Sequence, residues 1–272
     1  MINLNGTIIN ASEKVLTSNN RAFKYGDGLF ETIKVENLKI NFIEDHYFRL
    51  MASMRMLRME ISMNFTLEFF EGEIINTVKS NNLKNARVRF TVFRKDGGFY
   101  QPSTNLIDYL IEVSPLNITV KENYTLDLFK DYYIHSGILS TIKTTNKITN
   151  VLASIYAAEN NYDNCILVNE NKQVVEAING NLFIVKGNLI KTPQVTEGCV
   201  KGIARKKIIE IINKKDNLEL EETIISPFEL QKADEVFITN VIIGVQQVTS
   251  YKKSSYNTKI SKELALDFNE LV

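Results

Sequence analysis

The sequence has little cysteine and histidine, and this limits the kinds of site it could carry. Its two cysteines, Cys165 and Cys199, lie far apart and are too few for a disulfide framework. The two histidines, His46 and His135, lie tens of residues from the cysteines and from each other, unlike the closely spaced ligands of a local zinc motif. We therefore expect free thiols and no metal site.

Net charge and long apolar runs are also lacking. The chain has 32 basic and 32 acidic side chains, so it offers no electrostatic case for a nucleic-acid or membrane-surface partner, and zero net charge mildly favours self-association. No segment approaches the roughly 20 apolar residues of a membrane span. The first residues, MINLNGTIINASEK, lack the basic start and apolar stretch of a signal peptide. We expect a cytoplasmic protein without nucleic-acid or membrane partners.

The first half of the chain mixes strand and helix patterns. FETIKVENLKINF reads as a hairpin, and NARVRFTVFR and LIDYLIEVSP read as strands around a polar loop. EDHYFRLMASMRML and NFTLEFFEGEIINTVKSN have helical spacing of apolar residues, with Asn64 or Thr66 as the cap of the second helix. The polar, proline-containing stretch SPLNITVKENYT suggests a boundary. We predict a small N-terminal domain (1–116), a linker (117–124) and a larger C-terminal domain (125–272).

The second half continues the mixture. YYIHSGILSTIK is predicted to be a strand, and CILVNENKQVVEA and NLFIVKGNLIKTP to be hairpins. GIARKKIIEIINKK and the C-terminal SKELALDFNELV have helical patterns. Strands and helices in this irregular order indicate an α+β protein with two lobes.

Four features could carry chemistry. Lys143 lies at the end of an apolar run, where burial would ease loss of its proton and leave an amine able to react with an aldehyde, although an ordinary surface lysine is the alternative. Glu176 closes a strand and could hold a protonated ring nitrogen or be solvated. In GCVKGIAR, glycines precede a helix start that could bind phosphate or form a plain turn. Arg49, on the first long helix with His46 one turn before it, could bind phosphate through its planar fork or form an exposed ion pair. Together the four match one cofactor, pyridoxal 5′-phosphate, an electron sink.

The order of these segments resembles that of the class IV aminotransferases, the fold-type IV pyridoxal-phosphate enzymes. RAFKYGDGLFETIKV resembles the family's opening strands, EDHYFRL its phosphate-arginine helix and TIKTTNKITNVLA its lysine segment. VVEAINGNLFIV, KTPQVTEGCVKGIAR and ADEVFITNVIIGVQQV resemble its glutamate, phosphate-loop and last-loop segments. The resemblance implies a homodimer with a smaller N-terminal α/β lobe and a larger, β-barrel-like C-terminal lobe with helices.

The resemblance also assigns roles. It implies that Lys143 is the Schiff-base lysine and proton shuttle, that Glu176 binds the pyridine nitrogen and that Arg49 binds phosphate. The other residues that it places at the cofactor are backbone or loop positions: Ile203, Ala204, Asn240 and Val241. Some relatives have a hydroxyl where Val241 stands, so here only its backbone N–H could donate.

Three details bear on the reaction. Thr32 stands where branched-chain aminotransferases have glycine, and the family's 4-amino-4-deoxychorismate lyase has a threonine there that faces the cofactor; strand packing is the alternative role for Thr32. FRKDGGFYQP lacks the arginine and histidine of D-amino-acid aminotransferases and looks more like the lyase's RGxGGRGY, with one arginine missing. KTTNK resembles the lyase's K-x-x-N-R. Tyr25, Arg94 and Lys147 are candidates for contact with a small amino substrate, although Lys147 could be solvated.

We therefore expect the lyase, which forms 4-aminobenzoate and pyruvate for folate biosynthesis. The alternative is an amino-acid transaminase of the branched-chain or D-amino-acid type, which moves an amino group to a 2-oxo acid. Both reactions begin with the same proton abstraction, so the residues that hold the cofactor do not separate them.

Overall fold

The computed structural model describes residues 1–272, and the chain divides into two compact units. The first unit comprises Met1–Ile118 together with the short segment Lys143–Asn146, and the second comprises Thr119–Ile142 and Lys147–Val272. None of the helices combines the length and the apolar character that crossing a membrane requires. The predicted 117–124 linker stays a prediction.

The first unit contains six strands and three helices. The strands are β1 (Ile2–Leu4), β2 (Thr7–Ile9), β3 (Gly28–Glu36), β4 (Lys39–Ile40), β5 (Ala86–Arg94) and β6 (Ile107–Pro115). The helices are α1 (Arg21–Tyr25), α2 (Ile43–Met56) and α3 (Leu67–Ser80). Antiparallel pairing gives one sheet in the order β2-β1-β6-β5-β3-β4, and the predicted hairpin of β3 and β4 is confirmed. Thr66 caps α3 through a hydrogen bond from the Phe69 N–H.

The two faces of β3 have different surroundings, because side chains alternate along a strand. Leu29 and Ile33 are fully buried on the face that α2 covers, as are Leu50 and Met54 of that helix. Phe30, Thr32 and Lys34 lie on the opposite face of the strand. Candidate residues of this unit are therefore divided between two faces of one sheet.

The second unit contains ten strands and four helices. The strands are β7 (Thr125–Leu128), β8 (Asn164–Val168), β9 (Val174–Ala177), β10 (Asn181–Lys186), β11 (Leu189–Pro193), β12 (Glu219–Thr223), β13 (Glu235–Asn240), β14 (Gly244–Val248), β15 (Ser250–Tyr251) and β16 (Ser254–Ser255). The helices are α4 (Ile148–Glu159), α5 (Ile203–Ile212), α6 (Pro227–Leu230) and α7 (Lys259–Asn269).

These strands form two five-stranded sheets, in the orders β12-β11-β10-β13-β14 and β16-β15-β7-β8-β9, and no closed barrel is present. Both predicted hairpins, β8–β9 and β10–β11, are confirmed. A core of aliphatic and tyrosine side chains includes residues from both sheets.

The strand predicted in YYIHSGILSTIK is wrong. A 3-10 turn spans Ile138–Thr141 instead. The Ser140 hydroxyl donates a hydrogen bond to the His135 carbonyl, and the Thr141 hydroxyl donates one to the Ile138 carbonyl. Such local side-chain bonds compete with the strand ladder, so hydroxyl residues in an apolar run favour a turn here.

Candidate active site

The segment that carries Lys143 extends the first unit's sheet. The Phe30 N–H donates to the Lys143 carbonyl over 2.9 Å, and the Thr145 N–H donates to the Gly28 carbonyl over 2.9 Å. A Cβ on Gly28 would lie 3.3 Å from the Thr145 Cγ2 of this segment and 3.0 Å from the Val92 carbonyl oxygen of β5, so a glycine here leaves room for both neighbours. Two backbone hydrogen bonds therefore fix the position of Lys143 on β3.

The Lys143 amine lies on the face of β3 that is opposite to α2. Its Nζ is 4.4 Å from the centroid of the Phe30 ring, and the Arg89 Cζ is 3.8 Å from the same centroid. A cation above an aromatic ring is attracted by the ring's electrons. Thr32 is directly opposite Arg89 in the β3–β5 register, so both side chains share the face of Phe30. An amine and a guanidinium thus lie against one aromatic ring, and the Thr32 side chain is on the same face of the strand.

Arg49 belongs to a buried network on the other face of β3. Its Nε donates to Glu31 Oε1 over 2.8 Å and its second terminal nitrogen donates to Glu31 Oε2, a bidentate pair. The fully buried His46 ring places Nδ1 2.7 Å from Glu31 Oε2. His46 and Arg49 thus share one face of α2, as their spacing predicts. The carboxylate fixes the orientation of the Arg49 guanidinium.

Protonation in this network follows from burial and charge. Burial alone would raise the pKa of Glu31, but Arg49 and His46 outweigh it and bring that pKa down to about 2. Burial lowers the pKa of His46, and the hydrogen bond and charge of Glu31 only partly offset it. A neutral ring that donates through Nδ1–H leaves a lone pair on Nε2, and Nε2 has no hydrogen-bond partner. The His46–Glu31 contact is therefore a hydrogen bond from a neutral imidazole.

Glu176 is a buried carboxylate in the second unit. It lies on β9 opposite Leu167 of β8, and only 7% of the residue is exposed. Its Oε2 accepts a hydrogen bond from the Val200 N–H over 2.9 Å, and the Val200 carbonyl accepts one from the Asn181 amide over 2.9 Å. The backbone of Val200 is held through both its N–H and its carbonyl, and it thereby orients the glutamate.

Helix α5 begins beside this peptide and has the features of an anion site. Its N-cap residue, Gly202, provides no side-chain cap, and Ile203 and Ala204 are the first two helical residues. The first N–H groups of a helix lack acceptors within the helix and favour anions. Thr239 pairs with Asn181, so its side chain shares the sheet face of Asn181, and its buried hydroxyl has no hydrogen-bond partner. These donors suit a phosphate.

The last predicted loop has a defined turn. The Asn240 side-chain oxygen accepts hydrogen bonds from the Ile242 and Ile243 N–H groups over 3.0 and 2.9 Å. Val241 lies within that turn, between β13 and β14. The Asn240 amide oxygen therefore shapes the loop.

The three candidates for substrate contact differ in their surroundings. Arg94 is only 6% exposed and donates to Asp27, to Asn105 and to the Leu57 carbonyl. Tyr25 ends α1 and is exposed, with its ring 5.6 Å from that of Tyr100. Lys147 immediately precedes α4 and is half-buried.

Comparisons with known proteins identify the family. The model of the amino-transferase class IV family matches residues 28–251. The chain belongs to the class IV aminotransferases. These enzymes use pyridoxal phosphate, so the predicted enzyme class and cofactor are confirmed.

Among the relatives of this class IV aminotransferase, a Methanocaldococcus jannaschii protein provisionally named a branched-chain-amino-acid aminotransferase is 28% identical, covering 99% of this chain and 96% of its own. The D-alanine aminotransferase of Bacillus licheniformis is 27% identical, covering 90% of this chain and 86% of its own.

Two solved structures share the fold. The branched-chain aminotransferase of Thermoproteus uzoniensis superposes with a TM-score of 0.91 at 22% identity, covering 99% of this chain and 93% of its own. A Legionella pneumophila protein provisionally named 4-amino-4-deoxychorismate lyase gives 0.88 at 21% identity, covering 96% of this chain and 97% of its own. The predicted α+β, fold-type IV architecture is confirmed.

Sequence reasoning missed Arg89 in this class IV aminotransferase. The sequence does contain a signal for it. In RVRF, residues 87–90, the two arginines alternate with buried apolar residues, so both arginines face away from the core once β3 and β5 pair. What the sequence did not contain was the register that sets Arg89 opposite Thr32.

Proposed function

We propose that this class IV aminotransferase acts on an amine that carries a carboxylate, with Lys143 as cofactor anchor and as the base that removes the proton from the amino-bearing carbon. The observation that carries the proposal is the contact of both the Lys143 amine and the Arg89 guanidinium with the Phe30 ring, on the sheet face that Thr32 shares. A base needs a substrate held in a fixed orientation, and a guanidinium suits a carboxylate.

The residues of each unit fit pyridoxal phosphate. Glu176 offers a buried, oriented carboxylate to the protonated ring nitrogen, and in the other unit Arg49 offers a guanidinium fork fixed by Glu31. The start of α5 and the unpartnered Thr239 hydroxyl offer neutral donors to the phosphate. When bound, the cofactor supplies an electron sink for the carbon that loses its proton.

We propose Arg89, rather than Arg94, for the substrate carboxylate. Arg94 is buried, and Asp27, Asn105 and a backbone carbonyl occupy its donors. The side chain of Arg89 is 43% exposed, and its Glu112 contact is a long 3.9 Å. Its guanidinium also lies on the ring that Lys143 contacts, which places charge beside the reactive amine.

Between the two reactions we favour 4-amino-4-deoxychorismate lyase, because Thr32 supports it. Thr32 lies on the Lys143 face of β3 instead of in the core, so its hydroxyl can carry a proton toward a leaving group. Amino-acid transamination is the second candidate, and its support is the naming of the relatives. In that reaction Lys143 would hold the proton taken from the amino-bearing carbon and give it back.

We also propose a homodimer. Helix α4 presents Ile148, Val151 and Ile155, each about half exposed or more, at spacings that place them along one side. With no net charge, two copies do not repel each other at long range.

Two substrate assays on the holoenzyme separate the reactions. One supplies 4-amino-4-deoxychorismate and measures pyruvate and 4-aminobenzoate; the other supplies L- and D-amino acids with 2-oxoglutarate. We expect turnover in the first assay, and rapid transamination without lyase turnover would reverse our preference. Borohydride reduction should leave the cofactor covalently attached at Lys143, and an unmodified Lys143 peptide would refute the anchor assignment.

A further inference from the structure

The start of helix α4 packs against the end of β9. The Asn150 amide donates to the Ile178 carbonyl over 2.7 Å, two residues beyond Glu176. Lys147 precedes Asn150 by three positions, the spacing of neighbours on one helix face, and its carbonyl accepts the first α4 hydrogen bond, from Val151. Lys147 is therefore placed at the junction where the helix meets the strand end.

The Glu176 side chain is on the sheet face that α4 covers. Glu176 is directly opposite Leu167, and directly opposed residues in an antiparallel pair project to the same face. Leu167 packs in one cluster with Ala153 and Ala157 of α4, and Ile178 packs against the same cluster. The carboxylate and the beginning of the helix thus face each other.

Burial and charge at this junction are complementary. Burial lowers the pKa of Lys147, and the negative charge of Glu176 partly restores it. A second titratable group faces the carboxylate from the segment before α5: burial raises the pKa of the Cys199 thiol to about 12, and Glu176 adds to the rise. The Arg205 guanidinium, on α5, offsets part of that rise. A thiol that stays neutral near neutral pH cannot balance the carboxylate, whereas the ammonium group of Lys147 can.

We propose that Lys147 is a positioning residue, whose charge keeps Glu176 an ionised carboxylate oriented to accept a hydrogen bond from a protonated ring nitrogen. Lys147 acts together with the Val200 N–H and the positive end of the α4 dipole, which both favour an anion. The inference rests on the proposed role of Glu176. It differs from both sequence-based roles for Lys147, a solvated side chain and a substrate ligand.

The first test uses apo-protein labelled with ¹³C at the glutamate carboxyls. The Glu176 resonance is assigned by its loss in Glu176→Gln and then titrated in the Lys147 variants. Lys147→Gln should raise the pKa of Glu176 by about one unit, the lower end of what a neighbouring opposite charge produces. Lys147→Arg should keep the wild-type value, as should Lys253→Gln, which removes an exposed lysine elsewhere. An unchanged Glu176 pKa in Lys147→Gln would overturn the inference.

A second measurement separates this inference from the proposed function. Apo-protein binds pyridoxal phosphate or its 1-deaza analogue, which lacks the ring nitrogen, and affinity is followed against pH. Lys147→Gln should move the acid limb for pyridoxal phosphate upward by about one pH unit and leave the analogue's profile unchanged. Equal shifts for both compounds would mean a merely structural role. If Glu176→Gln weakens both compounds equally, the role of Glu176 fails, whatever the carboxyl titration shows.

Discussion

At the residue scale, the network of Glu31, His46 and Arg49 is the clearest case of charge held inside the fold. Removing one partner of a buried pair leaves an uncompensated charge, which is costly. The carboxylate is fully buried, so its replacement should affect both stability and the arginine that we propose for phosphate.

Glu31→Gln should lower the free energy of unfolding by about 3 kcal/mol near neutral pH. The pKa of Glu31 is about 2 in the folded protein against an ordinary 4.5, so its stabilisation is present above the ordinary value and is lost as pH falls toward 2. Urea unfolding at about pH 7 and about pH 3 should show the difference between wild type and variant shrinking in acid. A difference that stays constant would contradict this ionisation.

His46 adds an acid dependence of its own that both proteins share. Its pKa is lowered by burial, so the unfolded chain takes up a proton that the folded ring refuses once pH falls below the ordinary 6.5. Wild type and Glu31→Gln should therefore both lose stability from that point. Because Glu31 also partly offsets the lowered pKa of His46, the difference between the two proteins reports Glu31 together with its interaction with His46.

A second residue-scale prediction concerns the two arginines of β5. Arg89→Gln should raise KM for the substrate about 10- to 100-fold and leave thermal stability nearly unchanged, because a charged hydrogen bond contributes about 1.5–3 kcal/mol. Arg94→Gln should lower the melting temperature, since it leaves Asp27 with less compensation. Steady-state kinetics and thermal unfolding of both variants check this. If Arg94→Gln alone raised KM, the assignment would pass to Arg94.

The sequence predicted the cofactor class from individual residues, but it did not predict what surrounds those residues in the fold. The types and order of Lys143, Glu176 and Arg49 predicted a cofactor class that the family confirms. The carboxylate that orients Arg49 could not be predicted, because in the sequence Glu31 is an ordinary polar residue in a strand with alternating polar and apolar residues. Its burial opposite α2 depends on packing between segments distant in sequence.

At the element scale, the start of α5 depends on a missing side chain. A Cβ on Gly202 would lie 2.0 Å from the Asn181 side-chain oxygen, although the backbone there has an ordinary negative φ. Asn181 is buried and holds the Val200 peptide, which in turn holds Glu176. A methyl group at this position would therefore disturb three linked groups.

Gly202→Ala should lower the free energy of unfolding by about 1–3 kcal/mol, the cost of disrupting a buried hydrogen bond, and should weaken pyridoxal-phosphate binding. Gly72→Ala is the matched control. A Cβ there meets nothing within 4 Å, and alanine in an exposed helix interior stabilises by about 0.5–1 kcal/mol. Chemical denaturation and cofactor titration of both variants measure the contrast. If Gly202→Ala had the stability of the wild type, the Asn181 side chain would be able to move aside without loss of free energy of unfolding.

The sequence predicted the hairpins and a helix cap correctly where the residues that determine them are close together in the chain. The hairpins formed as their turn residues indicated, and Thr66 capped α3. The strand predicted over YYIHSGILSTIK was wrong because the prediction followed the apolar residues, whereas the hydroxyl side chains among them bond locally and favour a turn. The order of strands in the three sheets was not predictable, since it depends on pairing across long sequence separations.

At the scale of the whole molecule, the proposed homodimer is open to direct measurement. Val151→Asp places a charge in the middle of the exposed apolar side of α4, where burial against a second copy would be costly. Wild type should sediment as a dimer and Val151→Asp as a weaker dimer or a monomer. Glu159→Gln at the end of the same helix should sediment like wild type. Equal association of all three proteins would exclude this side of α4 from the interface.

The path of the chain through Lys143–Asn146 has a consequence for dissecting the protein. Four residues of the first unit are encoded within the sequence of the second, so no single cut yields both units intact. A fragment that ends at residue 118 would lose the backbone partners of Phe30 and Gly28 together with the Lys143 side chain. Exposed strand edges promote aggregation, so such a fragment should aggregate more readily than the whole protein. Any cut that removes the lysine proposed as the cofactor anchor therefore also removes a hydrogen-bonded edge of the first unit's sheet.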